Sequence, residues 1–152
     1  MKYIEYLNFP SIPKQFIKSA DEIIKLHKLA NPEVADQYNN VFSTREVEPE
    51  LYEWLITTFD FELAVQYQII NQGIPIHKDK GNRLIAYNYL LATGGEDVIT
   101  SVYDDNKELL QSEKLQLKRW HKLETGYFHG VEGIDPNSSR VSISITPKHG
   151  RG

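Results

Sequence analysis

The chain has 152 residues, a formal net charge of −4 and no cysteine. That length supports one hydrophobic core and is too short for two ordinary ones, so a single domain over 1–152 is expected. Without cysteine there is no disulfide framework and no thiolate ligand; without a basic block or an apolar run of about 20 residues, neither a dedicated nucleic-acid surface nor a membrane span is expected.

Leu7 and Phe9 suit an edge strand, and Pro10 and Pro13 stiffen the connector that follows. Ser19, with Glu22 three residues later, reads as a capping box. Ile23, Leu26 or His27, and Ala30 continue at helical spacing until Asn31-Pro32 stops the helix. His27 lies on this helix with no acidic or histidine neighbour one turn away, and reads as an ordinary helix residue. Residues 33–47 are polar and weakly patterned, and read as a loop. Glu48-Pro49-Glu50 opens a second helix, since proline suits a first turn and acids suit the N-terminal end of the dipole. Leu51, Trp54, Leu55 and Thr58 form its packing stripe. This helical cover spans about 15–60.

From 61 onward the period changes to that of strands. Runs at 62–70, 74–79, 84–91, 98–103, 126–131 and 140–146 are separated by turn-forming stretches, among them Asn71-Gln72-Gly73, Lys80-Gly81-Asn82, Thr93-Gly94-Gly95-Glu96 and Asp104-Asp105-Asn106-Lys107. The stretch 109–123 reads either as a short helix or as two strands around Trp120. Two helices followed by about eight strands suggest a mostly β fold, a jelly roll over about 61–147 with the helices packed on one sheet. In 140–146, Arg140, Ser142 and Ser144 share one face and Val141, Ile143 and Ile145 the other. A jelly roll with a wet interior needs this: the polar face lines a cavity and the apolar face is covered. The tail, with His149, reads as loose.

In an extended strand His77 and Asp79 point the same way, so an imidazole and a carboxylate can grip one cation from one side. His129 follows on a later strand. Two histidines and one carboxylate with open positions beside them are the donor set of non-haem Fe(II) sites. Taken singly, each residue has a plainer reading: His77 hydrogen-bonded to Asp79, Arg140 salt-bridged on its strand.

The constellation His77-x-Asp79…His129…Arg140-x-Ser142, over roughly 65–146, resembles the signature of the 2-oxoglutarate-dependent Fe(II) oxygenases, the compact prolyl-hydroxylase-like members among them. The resemblance implies a double-stranded β-helix. It implies Fe(II) on His77, Asp79 and His129, with 2-oxoglutarate and O₂ as co-substrates. Arg140 would hold the distal carboxylate of 2-oxoglutarate, with Ser142 adding a hydroxyl. Tyr67 would donate to the same co-substrate, with Tyr87, Asn88 and Tyr89 as alternatives; Asn88 falls on one strand face and the two tyrosines on the other. Gly94-Gly95-Glu96 resembles a turn common in the family. Trp120 would pack on the approach to His129, with His121 as a lesser candidate ligand.

The chemistry implied is oxidative decarboxylation of 2-oxoglutarate to succinate, coupled to hydroxylation of a protein residue, an amino acid or a small metabolite. Asp79 supports hydroxylation or a related oxidation, because halogenating relatives replace that carboxylate with a small residue. Two other readings use the same residues: a cupin-like metal enzyme without 2-oxoglutarate, and a non-catalytic jelly-roll binding module. Substrate and oligomeric state stay open. Glu5 comes too early for a secretory signal, so a cytoplasmic protein is expected.

Overall fold

Alternation of apolar and polar side chains builds this fold. The computed structural model describes residues 2–30, 41–79 and 84–148, and for 27–30 and 41–42 the backbone alone. Among them are α1 (Ala20–Ala30), α2 (Pro49–Thr58) and a single 3-10 turn at Lys14–Phe16. The strands are β1 (Ile4–Tyr6), β2 (Val41–Thr44), β3 (Leu63–Ile70), β4 (Ile74–His77), β5 (Ala86–Ala92), β6 (Ile99–Tyr103), β7 (Leu109–Glu113), β8 (Trp120–Leu123), β9 (Phe128–Glu132) and β10 (Arg140–Pro147). They form two antiparallel sheets, a larger one ordered β1-β8-β5-β10-β3-β2 and a smaller one ordered β4-β9-β6-β7. From β3 to β10 the chain passes back and forth between the sheets, except at the β6–β7 hairpin. The protein is mostly β, consistent with a jelly-roll-like sandwich. No helix among the described residues is long and apolar enough to cross a membrane.

The two helices cover one face of the larger sheet. Ser19 starts α1: its Oγ accepts the Glu22 N–H at 3.2 Å, and its hydroxyl donates to Glu22 Oε1 at 3.2 Å. Pro49 starts α2 with its φ already set for a helix. Ile23, Leu51 and Leu55 then bury against Val65, Ile143 and Ile145 of the central strands, with Trp120 in the same cluster. Trp120 Nε1 donates to the Pro10 carbonyl at 2.9 Å, so its expected packing role is what the fold shows.

Two expectations change, and one that was open is resolved. β2 falls within the stretch read as a loop; two β-branched residues and a phenylalanine pair there with Tyr67 to Ile70 of β3, a partner that local pattern does not reveal. The edge strand is Ile4–Tyr6, paired with β8, whereas Phe9 meets Phe59 edge-on at 4.9 Å. The stretch 109–123 forms two strands, β7 and β8, and no helix. The expectations at Asn31-Pro32, Lys80-Gly81-Asn82, His149 and the His27 side chain lie outside the described residues.

Two local devices join the sheets. Gly73, at φ +117°, closes the β3–β4 turn where a Cβ would stand 2.6 Å from the Val131 carbonyl oxygen. Gln111 of β7 bridges to the other sheet: its Oε1 accepts the Tyr3 and Ile4 N–H groups at 2.8 and 3.0 Å, and its Nε2 donates to the Ile4 carbonyl at 2.8 Å. Ile143 sits fully buried on β10 between β3 and β5. Ile143→Ala is expected to cost about 2–5 kcal/mol in urea unfolding.

Candidate metal centre

The pairing of β4 with β9 puts His77 directly opposite His129, with ring centroids 4.3 Å apart. Asp79 lies two residues past the end of β4, so the expected strand over 74–79 stops short of it. Its position comes instead from its backbone N–H, which donates to the Thr125 carbonyl at 3.1 Å. His77 Nδ1 lies 2.8 Å from the Pro75 carbonyl, and His129 Nδ1 lies 2.8 Å from the Tyr127 carbonyl. A carbonyl oxygen only accepts, so both Nδ1 atoms carry hydrogen and both Nε2 atoms are turned toward the carboxylate.

His77 Nε2 and His129 Nε2 stand 3.4 and 3.3 Å from Asp79 Oδ1. Donor atoms bound ~2.1 Å from one ion at right angles lie about 3 Å apart, so these separations are those of a shared cation. A proton satisfies one of these two contacts; a divalent cation would satisfy both. Each imidazole is already oriented through its Nδ1–H, as metal-ligating histidines are. Among the described residues, His77, Asp79 and His129 are the group that can hold a metal ion. His121 is not part of it.

These three residues open onto a cavity of about 470 Å³ between the sheets, within the usual range for small-molecule sites. Arg140, Ser142, Asn88, Gln66, Gln68 and Thr100 line the same cavity. The two faces of β10 divide as expected: Arg140 and Ser142 turn inward, while Val141, Ile143 and Ile145 join the helix-side core. Arg140 is 4% exposed. Its Nε donates to the Thr93 carbonyl at 3.0 Å and its Nη1 to Thr100 Oγ1 at 2.7 Å, while Nη2 is buried without a partner. Among the described residues no carboxylate forms an ion pair with it. Burial lowers its pKa from the ordinary guanidinium value to about 10, which leaves it cationic at neutral pH.

Tyr67 is the correction within the predicted set. It stands opposite Ile143 on β3, and both side chains belong to the helix-side core. Its hydroxyl donates to the Glu48 carboxylate at the start of α2. Burial, and then Glu48, push the phenol above its ordinary pKa. Residues one position either side face the cavity instead, and these are Gln66 and Gln68, which the sequence reading passed over. Their signal was the parity of β3: a one-residue step reverses the face. The same parity settles the alternatives on β5, where Asn88 lines the cavity and Tyr87 and Tyr89 pack on the helix side. Thr100, holding Arg140 from the opposite sheet, had no sequence signal. The Gly94-Gly95 turn serves Arg140 too: a Cβ on Gly94 would stand 3.1 Å from the Arg140 backbone nitrogen.

His121 is 2% exposed beside the cavity. Burial, and then the Arg140 charge, lower its pKa from 6.5 to about 3. Between those values the unfolded chain binds a proton that the folded chain does not, so stability falls as pH drops through that window. Its slope there is expected to reach about 1.4 kcal/mol per pH unit in urea unfolding, and His121→Phe is expected to flatten it. At the metal centre, His129→Ala is expected to weaken Mn(II) or Co(II) binding by roughly a hundredfold or more in calorimetry.

No protein-family model and no curated protein sequence matches the chain. Several solved structures are similar in shape, two of them as follows. AviO1 from Streptomyces viridochromogenes Tue57 aligns at a TM-score of 0.47 and 10% identity, over 95% of this chain and 90% of that one. IDO from Bacillus thuringiensis aligns at a TM-score of 0.37 and 11% identity, over 96% of this chain and 72% of that one.

Proposed function

We propose that the chain is a 2-oxoglutarate-dependent Fe(II) dioxygenase. It would couple decarboxylation of 2-oxoglutarate with hydroxylation of a protein residue, an amino acid or a small metabolite. The observation that carries this reading is Arg140, a buried guanidinium without a carboxylate partner among the described residues, on the wall of the cavity that also holds the His77–Asp79–His129 cluster. A buried charge without a counter-ion is costly. An acidic ligand in this cavity would supply one.

The donor set fits the metal. His77, Asp79 and His129 would hold Fe(II) through two imidazole nitrogens and one carboxylate oxygen, the donor set that suits that ion. Iron supplies the oxidising chemistry when bound: 2-oxoglutarate becomes succinate and CO₂, and one oxygen atom enters a C–H bond. The chain's own residues do the rest. The Pro75 and Tyr127 carbonyls fix both imidazoles, and the Thr125 carbonyl fixes the backbone of Asp79. Arg140, held by the Thr93 carbonyl and Thr100 Oγ1, would bind the distal carboxylate of 2-oxoglutarate. Ile74, Leu90, Leu115 and Val131 give the cavity apolar wall and limit water.

A metal enzyme that makes no use of 2-oxoglutarate would share the triad and not need the guanidinium. Arg140→Met separates the two, and an apolar replacement of a buried charge is commonly tolerated. The protein loaded with Fe(II) without oxygen should bind 2-oxoglutarate, and in air should release succinate. Arg140→Met should weaken 2-oxoglutarate binding about a hundredfold or more while leaving Mn(II) affinity unchanged. Equal 2-oxoglutarate affinity in both proteins would sink the reading.

A further inference from the structure

Strand parity turns Gln66 and Gln68 of β3 toward the cavity, where both are half-buried. Gln68 stands between Ser43 of β2 and Ser142 of β10, and Gln66 stands opposite Ser144. Among the described residues neither glutamine amide has a hydrogen-bond partner. Nor is either amide closed off, as Asn88 Oδ1 and Ser144 Oγ are. Two open carboxamides, two residues apart on one wall, are thus left for solvent or a ligand. The other polar groups of the wall are committed. Asp79 lies against both imidazoles, and Lys78 is ion-paired with Asp105 at 2.8 Å. Burial keeps His121 uncharged. Arg140 would take the distal carboxylate of the co-substrate. A free amino acid brings an ammonium and a carboxylate together, and among the described lining residues no uncommitted charge remains to meet them. Gln66, Gln68 and Ser43 hydrogen-bond without charge.

We propose that Gln66 and Gln68 bind a secondary amide of the organic substrate, so that the molecule brought to the metal is an acylated amine and not a free amino acid. A glutamine side chain offers an N–H donor and a carbonyl acceptor side by side, and a secondary amide offers the same pair in return. Residues two apart on a strand are about 6.7 Å apart, which is also the repeat at which an extended peptide presents its amides on one side. A peptide lying along β3 can therefore meet both glutamines, whereas a small molecule with a single amide meets one at a time. The cavity then has two unlike subsites, a cationic one at Arg140 and an uncharged one at these glutamines. The exclusion of a free amino acid rests on the reading of Arg140 given above. The binding of an amide at Gln66 and Gln68 does not.

The test uses the full chain with ¹⁵N-labelled glutamine and added Zn(II). The side-chain NH₂ signals of the two residues are identified by their loss in Gln66→Leu and Gln68→Leu. The probes are N-acetyl-diglycine N-methylamide, N-methylacetamide, glycine and glucose. The blocked diglycine is expected to move both pairs of signals along one saturation curve, and the chain carrying both substitutions is expected to bind it about tenfold or more weaker. Glycine and glucose are expected to leave the signals in place. Tighter binding of the blocked diglycine than of N-methylacetamide assigns the amide to a peptide main chain, and equal binding assigns it to a small acylated amine. No response to either amide, an equal response to glycine or glucose, or unaltered affinity in the doubly substituted chain would each overturn the proposal. Neither side chain has a partner to lose, so the variants should melt close to the parent protein. If one does not fold, the comparison of the four probes on the unaltered chain still decides it. Loss of the iron and 2-oxoglutarate reading would leave these titrations unchanged, because they contain neither.

Discussion

The antiparallel register of β4 against β9 is the constraint on which the cavity's chemistry depends. It sets His77 opposite His129. A slip of one residue would turn every side chain of one strand to the other face and send one imidazole out of the cavity. The register is guarded where the strands come closest. A Cβ on Gly130 would stand 2.9 Å from the Ile74 carbonyl oxygen, and Gly73 makes the turn just before β4. Hydrogen bonds from the rings to Pro75 and Tyr127 then fix what the strand pairing leaves free, the rotation of each imidazole.

The larger sheet keeps stability and function on opposite sides of the same strands. On its helix side, Val65, Ile143 and Ile145 bury apolar surface, and Tyr67 ties β3 to the first turn of α2 through Glu48. On its cavity side, Arg140, Ser142 and Asn88 are polar and partly unsatisfied. The apolar side offsets what the polar side costs. The same seclusion that makes Arg140 expensive raises its attraction for an anion, because little water remains to screen it. Thr93 and Thr100 hold two of its three nitrogens, and the third has no partner among the described residues.

The mostly β character and both helices were legible because they rest on short-range signals: alternation from 61 onward, Ser19 with Glu22, and Pro49 after Glu48. The meeting of His77, Asp79, His129 and Arg140 in one cavity was expected from the resemblance of their order and spacing to the oxygenase signature, and they line one cavity. What was not legible depended on partners distant in sequence. β2 exists because β3 offers it an edge. Asp79 is held by Thr125, not by its own strand. Tyr67 was placed by likeness, against the parity that turns Gln66 and Gln68 inward. Over 109–123 helix and strand were both open, and only the strand parts the indole from the imidazole of Trp120-His121, one to the helix side and one to the cavity.

β10 follows every other strand in sequence and yet lies in the middle of the larger sheet, between β5 and β3. Until it inserts, β3 and β5 each present an unpaired edge, and such edges pair readily with other chains. Closing that gap requires contacts between residues far apart along the chain, which slows folding. The cationic subsite arrives with the same strand, so a half-folded chain has no cavity in which to trap an acid. Refolding should therefore be slow and favoured by dilution, with ligand capture appearing only in its final phase.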